Sequence, residues 1–142
     1  MVNVEEYNDL VEIGNLSTTR QVYKITGSEL PPILSDFKHR KDIVVKICKG
    51  NRGYDANRQE FNVWRKTEDK NLFCPSYFLL NKGEILIMEK ADTDYITDKD
   101  VEIFLDKYIR QYECSIRTDI KKSNIGRIDN NTVLIDYPFV PV

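Results

Sequence analysis

A lysine in the middle of an apolar run is the feature that most constrains this fold. The run DIVVKICKG covers residues 42–50, and its β-branched side chains are typical of a central strand. Lys46 is flanked by Val45 and Ile47, so we expect it to be buried and to have a partner. The alternative is a surface lysine on an edge strand. The run therefore predicts a strand, and the burial of Lys46 distinguishes a central position from an edge position.

Four more strands are expected beside this run. Residues 9–14 and 20–27 are each expected to form one strand, and residues 76–89 are expected to form two strands about the turn Asn81–Gly83. Turn residues separate these segments from the rest of the chain. The segment 31–41 contains two prolines and the basic cluster FKHRK, and it predicts a solvated loop; a basic partner-binding patch is the alternative. His39, the only histidine, is expected to be exposed there.

Two helices are predicted, over residues 54–68 and 97–114. Along the first, side chains at spacings of three and four share one face: Asn57, Glu60, Phe61 and Trp64. Glu60 is therefore expected to point towards the body of the protein, and a helix-surface charge is the alternative. In the second, Thr97 and Asp100 have the spacing of a capping box. Its apolar stripe, expected in the core, consists of Val101, Phe104, Leu105, Tyr108, Ile109 and Tyr112.

The segment NIGRIDNNTVLID, residues 124–136, predicts a hairpin. We place a two-residue turn at Asn130–Asn131, because asparagine tolerates positive φ. That turn sets Ile125 opposite Asp136 and leaves Asn124 one residue from Asp136. A longer loop would shift this register.

The composition fits one soluble domain. The chain has 142 residues, of which 41% are hydrophobic and 31% charged. Its net charge of −2 argues against broad electrostatic binding to nucleic acids or acidic membranes. No run is apolar and long enough to span a bilayer, and the acidic start does not resemble a signal peptide, so we expect a cytoplasmic protein. Cys48, Cys74 and Cys114 lack zinc-site spacing and are expected to be reduced thiols.

The element order predicts an α+β fold, and its motifs resemble those of the protein-kinase superfamily. DIKKSN (119–124) is similar to the D-x-K-x-x-N part of the catalytic loop, and LIDY (134–137) stands at the position of the metal-binding D-F-G. Upstream, IVVKI resembles the V-A-I-K strand, ILIMEKA the strand that leads into the hinge, and EIGNLSTTRQVYKI the first two strands with their phosphate-covering loop. The phrasing looks closest to small bacterial or phage kinase-like proteins.

The resemblance implies a single minimal domain over residues 1–142. Residues 1–91 would form a kinase-like N-lobe, an antiparallel sheet plus one helix. Residues 92–142 would form a strongly reduced C-lobe of one helix, the catalytic loop and a hairpin.

The resemblance also implies a binding site for ATP. Lys46 would hold the nucleotide phosphates, and Glu60 would orient that lysine. The other nucleotide contacts would be Gly14 in the phosphate-covering loop, Val22 and Val44 over the ring, and Met88, Glu89, Lys90 and Ala91 at the hinge.

Metal and catalytic roles follow from the same resemblance. Asn124 and Asp136 would bind Mg²⁺ through oxygen. Asp119 would accept or orient the proton of an attacking hydroxyl, and Lys121 would place positive charge near the transferred phosphoryl group.

Several positions depart from the family pattern. NLSTT replaces the later glycines of the phosphate-covering loop, Arg117–Thr118 replace the usual His-Arg, and Pro138 replaces the D-F-G glycine. Six residues follow Asp136, so the usual activation segment and substrate platform are expected to be absent.

Two functions from different classes remain open. The first is a minimal ATP- and Mg²⁺-dependent phosphotransferase, because the motif positions with direct chemical roles are all present: Lys46, Glu60, Asp119, Asn124 and Asp136. The second is a catalytically inactive kinase-like binding module (a pseudokinase), for example a phage or mobile-element protein that regulates a host protein. A protein partner or a homodimer would cover the reduced lobe, where Phe139 and Val140 would otherwise face water.

Overall fold

The computed structural model, which describes residues 2–14, 19–112 and 120–140, has the expected α+β architecture. The main sheet is antiparallel and consists of β1 (Leu10–Glu12), β2 (Arg20–Ile25), β3 (Ile43–Cys48), β4 (Ser76–Leu80) and β5 (Ile85–Glu89). The other main elements are α1 (Asn51–Lys66), α2 (Asp98–Tyr112), and the hairpin strands β6 (Ile125–Ile128) and β7 (Asn131–Leu134). The strand order β1-β2-β3-β5-β4 places β3 in the centre of the sheet.

Both faces of β3 are buried, which excludes the edge-strand alternative. Ile43, Val45 and Ile47 point into a core cluster on one side of the sheet. Because side chains alternate along a strand, Lys46 and Cys48 point to the opposite side. There Lys46 is only 4% exposed, as its apolar neighbours predicted.

A short helix covers the core cluster that contains Ile43, Val45 and Ile47. The sequence had predicted a loop in this segment. Residues Pro32–Phe37 form a 3-10 helix, and Leu34 within it is fully buried against the sheet. Proline at the first helical position lacks only an N–H that would have had no helical partner, so it favours this start. Residues 38–41 are exposed, and His39 is solvent-accessible as expected, with φ of 62°.

Helix α1 begins at Asn51, ahead of the predicted start at residue 54. Its first turn lies so close to the sheet that a Cβ on Gly53 would lie 2.5 Å from the Thr19 carbonyl oxygen and 2.8 Å from Cys48 Cβ. The inward face is as predicted: Asn57, Glu60 and Val63 are buried, and Phe61 and Trp64 are half-buried. Glu60 therefore points into the protein rather than to solvent.

Helix α2 begins with the predicted capping box. The Thr97 amide donates to Asp100 Oδ2 at 2.8 Å, and the Asp100 amide donates to Thr97 Oγ1 at 3.2 Å. Within the stripe, Phe104 and Tyr108 are fully buried and Val101, Leu105 and Ile109 are half-buried, whereas the Tyr112 side chain and Cys114 lie outside the described residues. No helix in the described part of the chain is long and apolar enough to cross a membrane.

The β6–β7 hairpin turns one residue earlier than the sequence suggested. The turn residues are Asp129 and Asn130, with φ of 49° and 68°, so Ile128 pairs with Asn131. Asn131 lies in strand β7 and not in the turn. Its side chain is held by two long-range contacts, because it donates to the Asn71 carbonyl at 2.7 Å and accepts from Lys107 Nζ at 2.9 Å. These contacts fix a register that local turn preferences did not predict.

The corrected register changes the neighbour of each predicted metal ligand. Ile125 pairs with Leu134 rather than with Asp136. The Asn124 carbonyl accepts a bond from the Ile135 amide at 2.9 Å, so Asn124 lies opposite Ile135. The predicted pairing of Ile125 with Asp136 is therefore wrong, whereas Asn124 still lies one residue from Asp136 across the hairpin.

Backbone bonds on both sides attach the hairpin to the sheet. Asp92 and Arg127 exchange amide–carbonyl bonds of 2.9 and 2.8 Å just beyond the end of β5. The Cys74 amide donates to the Leu134 carbonyl at 2.8 Å, just ahead of β4. The chain that leaves β7 therefore runs beside the buried face of the sheet that carries Lys46.

The turn assignment can be tested at Asn130, whose φ is positive. A β-branched residue is strained in that conformation, so Asn130→Val should lower the free energy of unfolding by about 1–2 kcal/mol. Asn130→Gly also removes the amide side chain but accepts positive φ, so it should be close to neutral. Urea unfolding of the three proteins measures both effects. Equal losses for valine and glycine would contradict the turn.

Candidate ligand-binding site

A cavity of about 130 Å³ lies between β2, β3, the end of β5 and the chain that leaves β7. Most of the residues predicted to contact a nucleotide or metal line it: Gly14, Val22, Val44, Lys46, Met88, Glu89, Lys90, Ala91 and Asp136. Residues far apart in sequence are thus brought together in one pocket. The pocket also includes residues without a predicted role: Ile13, Arg20, Cys74, Thr93 and Ile135.

The other predicted site residues lie elsewhere. Glu60 is fully buried behind Lys46 rather than at the pocket wall. Lys121 is exposed and does not line the pocket, and Asn124 is half-buried in the short helix that precedes β6. Asp119 lies outside the described residues, so its role as a proton acceptor stays a prediction.

Lys46 makes the buried ion pair that the sequence predicted. Its Nζ donates to Glu60 Oε2 at 2.8 Å and to the Ile135 carbonyl at 2.6 Å, and it lies 3.8 Å from Asp136 Oδ1. The pair joins the central strand to helix α1. Removal of Glu60 would leave the buried Lys46 ammonium without its nearest anionic partner, and this change should cost about 3–5 kcal/mol of stability.

Arg20 is a second buried cation in the same network. It is 2% exposed, and its Nη1 donates to Glu60 Oε2 at 2.7 Å and to Asn57 Oδ1 at 3.1 Å. Its Nη2 donates to Asp136 Oδ1. The cluster contains two cations and two carboxylates, so its formal charges cancel.

Tyr137, the residue after Asp136, holds the outgoing chain against the sheet. Its amide donates to Glu60 Oε1 at 2.6 Å. Its buried hydroxyl donates to the Cys74 carbonyl at 2.6 Å and shares a 2.7 Å bond with the Ser76 hydroxyl. Burial raises the pKa of the Tyr137 phenol far above its usual range, so it remains a neutral donor.

The carboxylates of the cluster have opposite pKa shifts. Burial alone would raise the pKa of Glu60, but Arg20 and Lys46 outweigh burial and lower its pKa to about 2. Burial raises the pKa of Asp136; Lys46 opposes this shift and the charge of Glu60 adds to it. Glu60 is therefore the firmly ionised centre of the network, and Asp136 is the carboxylate whose charge is less favoured.

At the end of β5, the pocket wall presents one backbone donor. The amides of Glu89, Lys90 and Asp92 donate to the carbonyls of Pro75, Asp42 and Arg127. The amide of Ala91 has no hydrogen-bond partner among the described residues. Ala91 lines the pocket, so its amide is available to an acceptor on a flat ligand held between the apolar side chains.

The side chains around Asp136 are not arranged to bind a divalent cation. The described residues include no group of three or more acidic, cysteine or histidine side chains that could hold a metal. Asp136 Oδ1 already accepts from Arg20, and Lys46 lies 3.8 Å away. Two unit charges at 4 Å repel by about 4 kcal/mol at an effective dielectric constant of about 20, and Mg²⁺ carries two charges. The Mg²⁺ assignment to Asn124 and Asp136 therefore stays a prediction.

The alternation of side chains along a strand could have predicted the face of the sheet on which Arg20 lies. Val22 was predicted to cover a ring, and Arg20 is two residues earlier in the same strand, so both lie on one face. Val22 pairs with Lys46 across the ladder, and Arg20 pairs with Cys48. The face of Arg20 was therefore predictable, whereas the identity of its partners depended on the fold.

The charge of Glu60 should govern acid stability. Its folded pKa of about 2 lies below its usual 4.5, so its contribution is complete above pH 4.5 and is lost as the pH falls towards 2. The free energy of unfolding should decrease by about 3 kcal/mol across this range.

Urea unfolding as a function of pH measures this loss. Glu60→Gln should abolish the acid-dependent decrease, while Asp136→Asn should retain it, because the raised pKa of Asp136 acts in the opposite direction. If the free energy of unfolding of Glu60→Gln still decreased at low pH as in the wild type, the effect would belong to another carboxylate.

Comparison with known proteins gives no family for this chain. No protein-family model matches the sequence, and no curated protein sequence matches it significantly. The pocket and its buried charges are therefore the features that bear on function.

Proposed function

We propose that the chain is a minimal protein-kinase-like domain whose pocket binds a nucleotide of the ATP class. The observation that carries the proposal is the 2.8 Å ion pair between Lys46 on the third strand and Glu60 on the following helix. Protein kinases hold nucleotide phosphates with a lysine on their third strand that pairs with a glutamate of the next helix. The pocket places Asp136 beside the same lysine.

The pocket walls also favour a nucleotide. Val22, Val44 and Met88 supply apolar surfaces for a flat ring, and the Ala91 amide supplies a donor at its edge. A volume of 130 Å³ is below the usual range of about 300–1,000 Å³ for ligand pockets. The cavity would therefore take the base, while the phosphates lie at its polar end towards Lys46.

The finer architecture belongs to the same proposal. Residues 1–91 would be the kinase-like N-lobe, and residues 92–142 a reduced C-lobe. The placement of α1 between β3 and β4 supports this division, as does the order of the motifs along the chain. The predicted catalytic roles of Asp119 and Lys121 depend on phosphate transfer, which is tested separately below.

A binding module without phosphotransferase activity is the second candidate. The observation that favours it is the bond from Arg20 to Asp136, which occupies the carboxylate that kinases use for Mg²⁺. Such a module would engage a protein partner or a second copy of the chain, with the nucleotide as a structural ligand.

Nucleotide binding can be tested by filling the pocket. Titration calorimetry with ATP should show saturable binding to the wild type. Val44→Trp should weaken it at least about tenfold, because the larger ring occupies the space of the base. Val11→Trp is the matched control, since Val11 lies on β1, is 37% exposed and does not line the pocket.

Two results would contradict this proposal. The first is an absence of ATP binding to the correctly folded wild type. The second is equal weakening by the tryptophan at the pocket and by the tryptophan at the control position.

Phosphate transfer is tested separately, by release of ADP from ATP and Mg²⁺ in the presence of serine-, threonine- and tyrosine-containing peptides. The Arg20–Asp136 bond leads us to expect no release above that of Asp119→Asn. Faster release by the wild type that falls by about 10²–10⁴ in Asp119→Asn would instead establish a phosphotransferase.

A further inference from the structure

Arg20 occupies the position at which a metal would act. In a metal-dependent phosphate site, a carboxylate holds a cation, and that cation meets the phosphate oxygens. Here the cation on Asp136 Oδ1 is the guanidinium of Arg20, and Lys46 Nζ lies 3.8 Å from the same oxygen. Both cations line the pocket.

Within the described part of the chain, three partners fix the guanidinium in this position. Besides Asp136, it donates to Glu60 Oε2 at 2.7 Å and to Asn57 Oδ1 at 3.1 Å, and only 2% of the residue is exposed. Displacement of Arg20 by a metal would leave part of the charge of Glu60 without its partner in a fully buried position. Asn57 would lose a hydrogen bond at the same time.

An arginine can perform the electrostatic task of the metal. It stays charged at all physiological pH values and, while bound to its partners, keeps a fixed positive charge at the pocket wall. Lys46 adds a second, more compact charge on the neighbouring strand. An incoming phosphate would therefore meet two fixed cations without an added ion.

We infer that Arg20 replaces the divalent cation in this pocket, so that the chain binds ATP without Mg²⁺. The inference deepens the proposed function and rests on it: the ligand is the same nucleotide, but free ATP rather than its metal complex is sufficient. Arg20 thereby determines the form of the nucleotide that the pocket accepts.

Titration calorimetry with ATP, in EDTA and in excess MgCl₂, tests the inference on the wild-type chain. The two dissociation constants should agree within about threefold. Binding seen only with Mg²⁺, or at least about tenfold tighter with it, would overturn the inference and leave the proposed function intact. An absence of binding in both solutions would overturn both.

Substitution of Arg20 should create a metal requirement. Arg20→Gln is expected to weaken binding in EDTA at least about tenfold, and MgCl₂ should restore much of the affinity by occupying the released Asp136. Arg40→Gln is the matched control, because Arg40 is 46% exposed, pairs with Asp42 and does not line the pocket. Wild-type affinity of Arg20→Gln in EDTA would refute the role of Arg20.

Asp136→Asn keeps the test decisive should Arg20→Gln not fold. Asp136 is 25% exposed in its side chain, so its substitution is the milder change. Replacement of the carboxylate removes a negative charge that faces the phosphates, and binding in EDTA should tighten about three- to tenfold. Weaker binding of Asp136→Asn in MgCl₂ without tighter binding in EDTA would show that Asp136 acts through a metal and would overturn the inference.

Discussion

The pocket depends on the hydrogen bonds and ion pairs that the buried Glu60 carboxylate accepts. Its Oε2 accepts from Lys46 on β3 and from Arg20 on β2, and its Oε1 accepts from the Tyr137 amide beyond β7. One buried anion on α1 therefore fixes two strands and the chain after the hairpin. Because a buried charge is tolerated only with its partners in place, the fold and the pocket share a single electrostatic centre.

Much of this arrangement could be predicted from short-range patterns. The apolar run around Lys46 gave a buried strand, and the three- and four-residue spacing on α1 turned Glu60 inward. The capping box at Thr97 gave the start of α2. In each case the residues that determine the outcome lie within a few positions of one another, so local geometry was sufficient.

The features that escaped prediction depend on residues distant in sequence. Asn130–Asn131 suits a turn as well as the observed Asp129–Asn130 does, and the choice follows from contacts of Asn131 with Asn71 and Lys107. Arg20 carries no local signal for its partners, which lie 40 and 116 residues away in Glu60 and Asp136. Residues at such separations meet only in the folded chain.

The bond from Lys46 to the Ile135 carbonyl has a consequence for communication between the pocket and the chain that follows it. The same ammonium group holds the residue after β7 and faces the cavity. An anion that draws Lys46 towards itself competes with that carbonyl, so occupancy of the cavity and the position of residues 135–140 are thermodynamically linked. Linkage is reciprocal. A macromolecule that binds this segment would therefore change the affinity of the cavity for an anion by the same factor as the anion changes the affinity of the segment for the macromolecule.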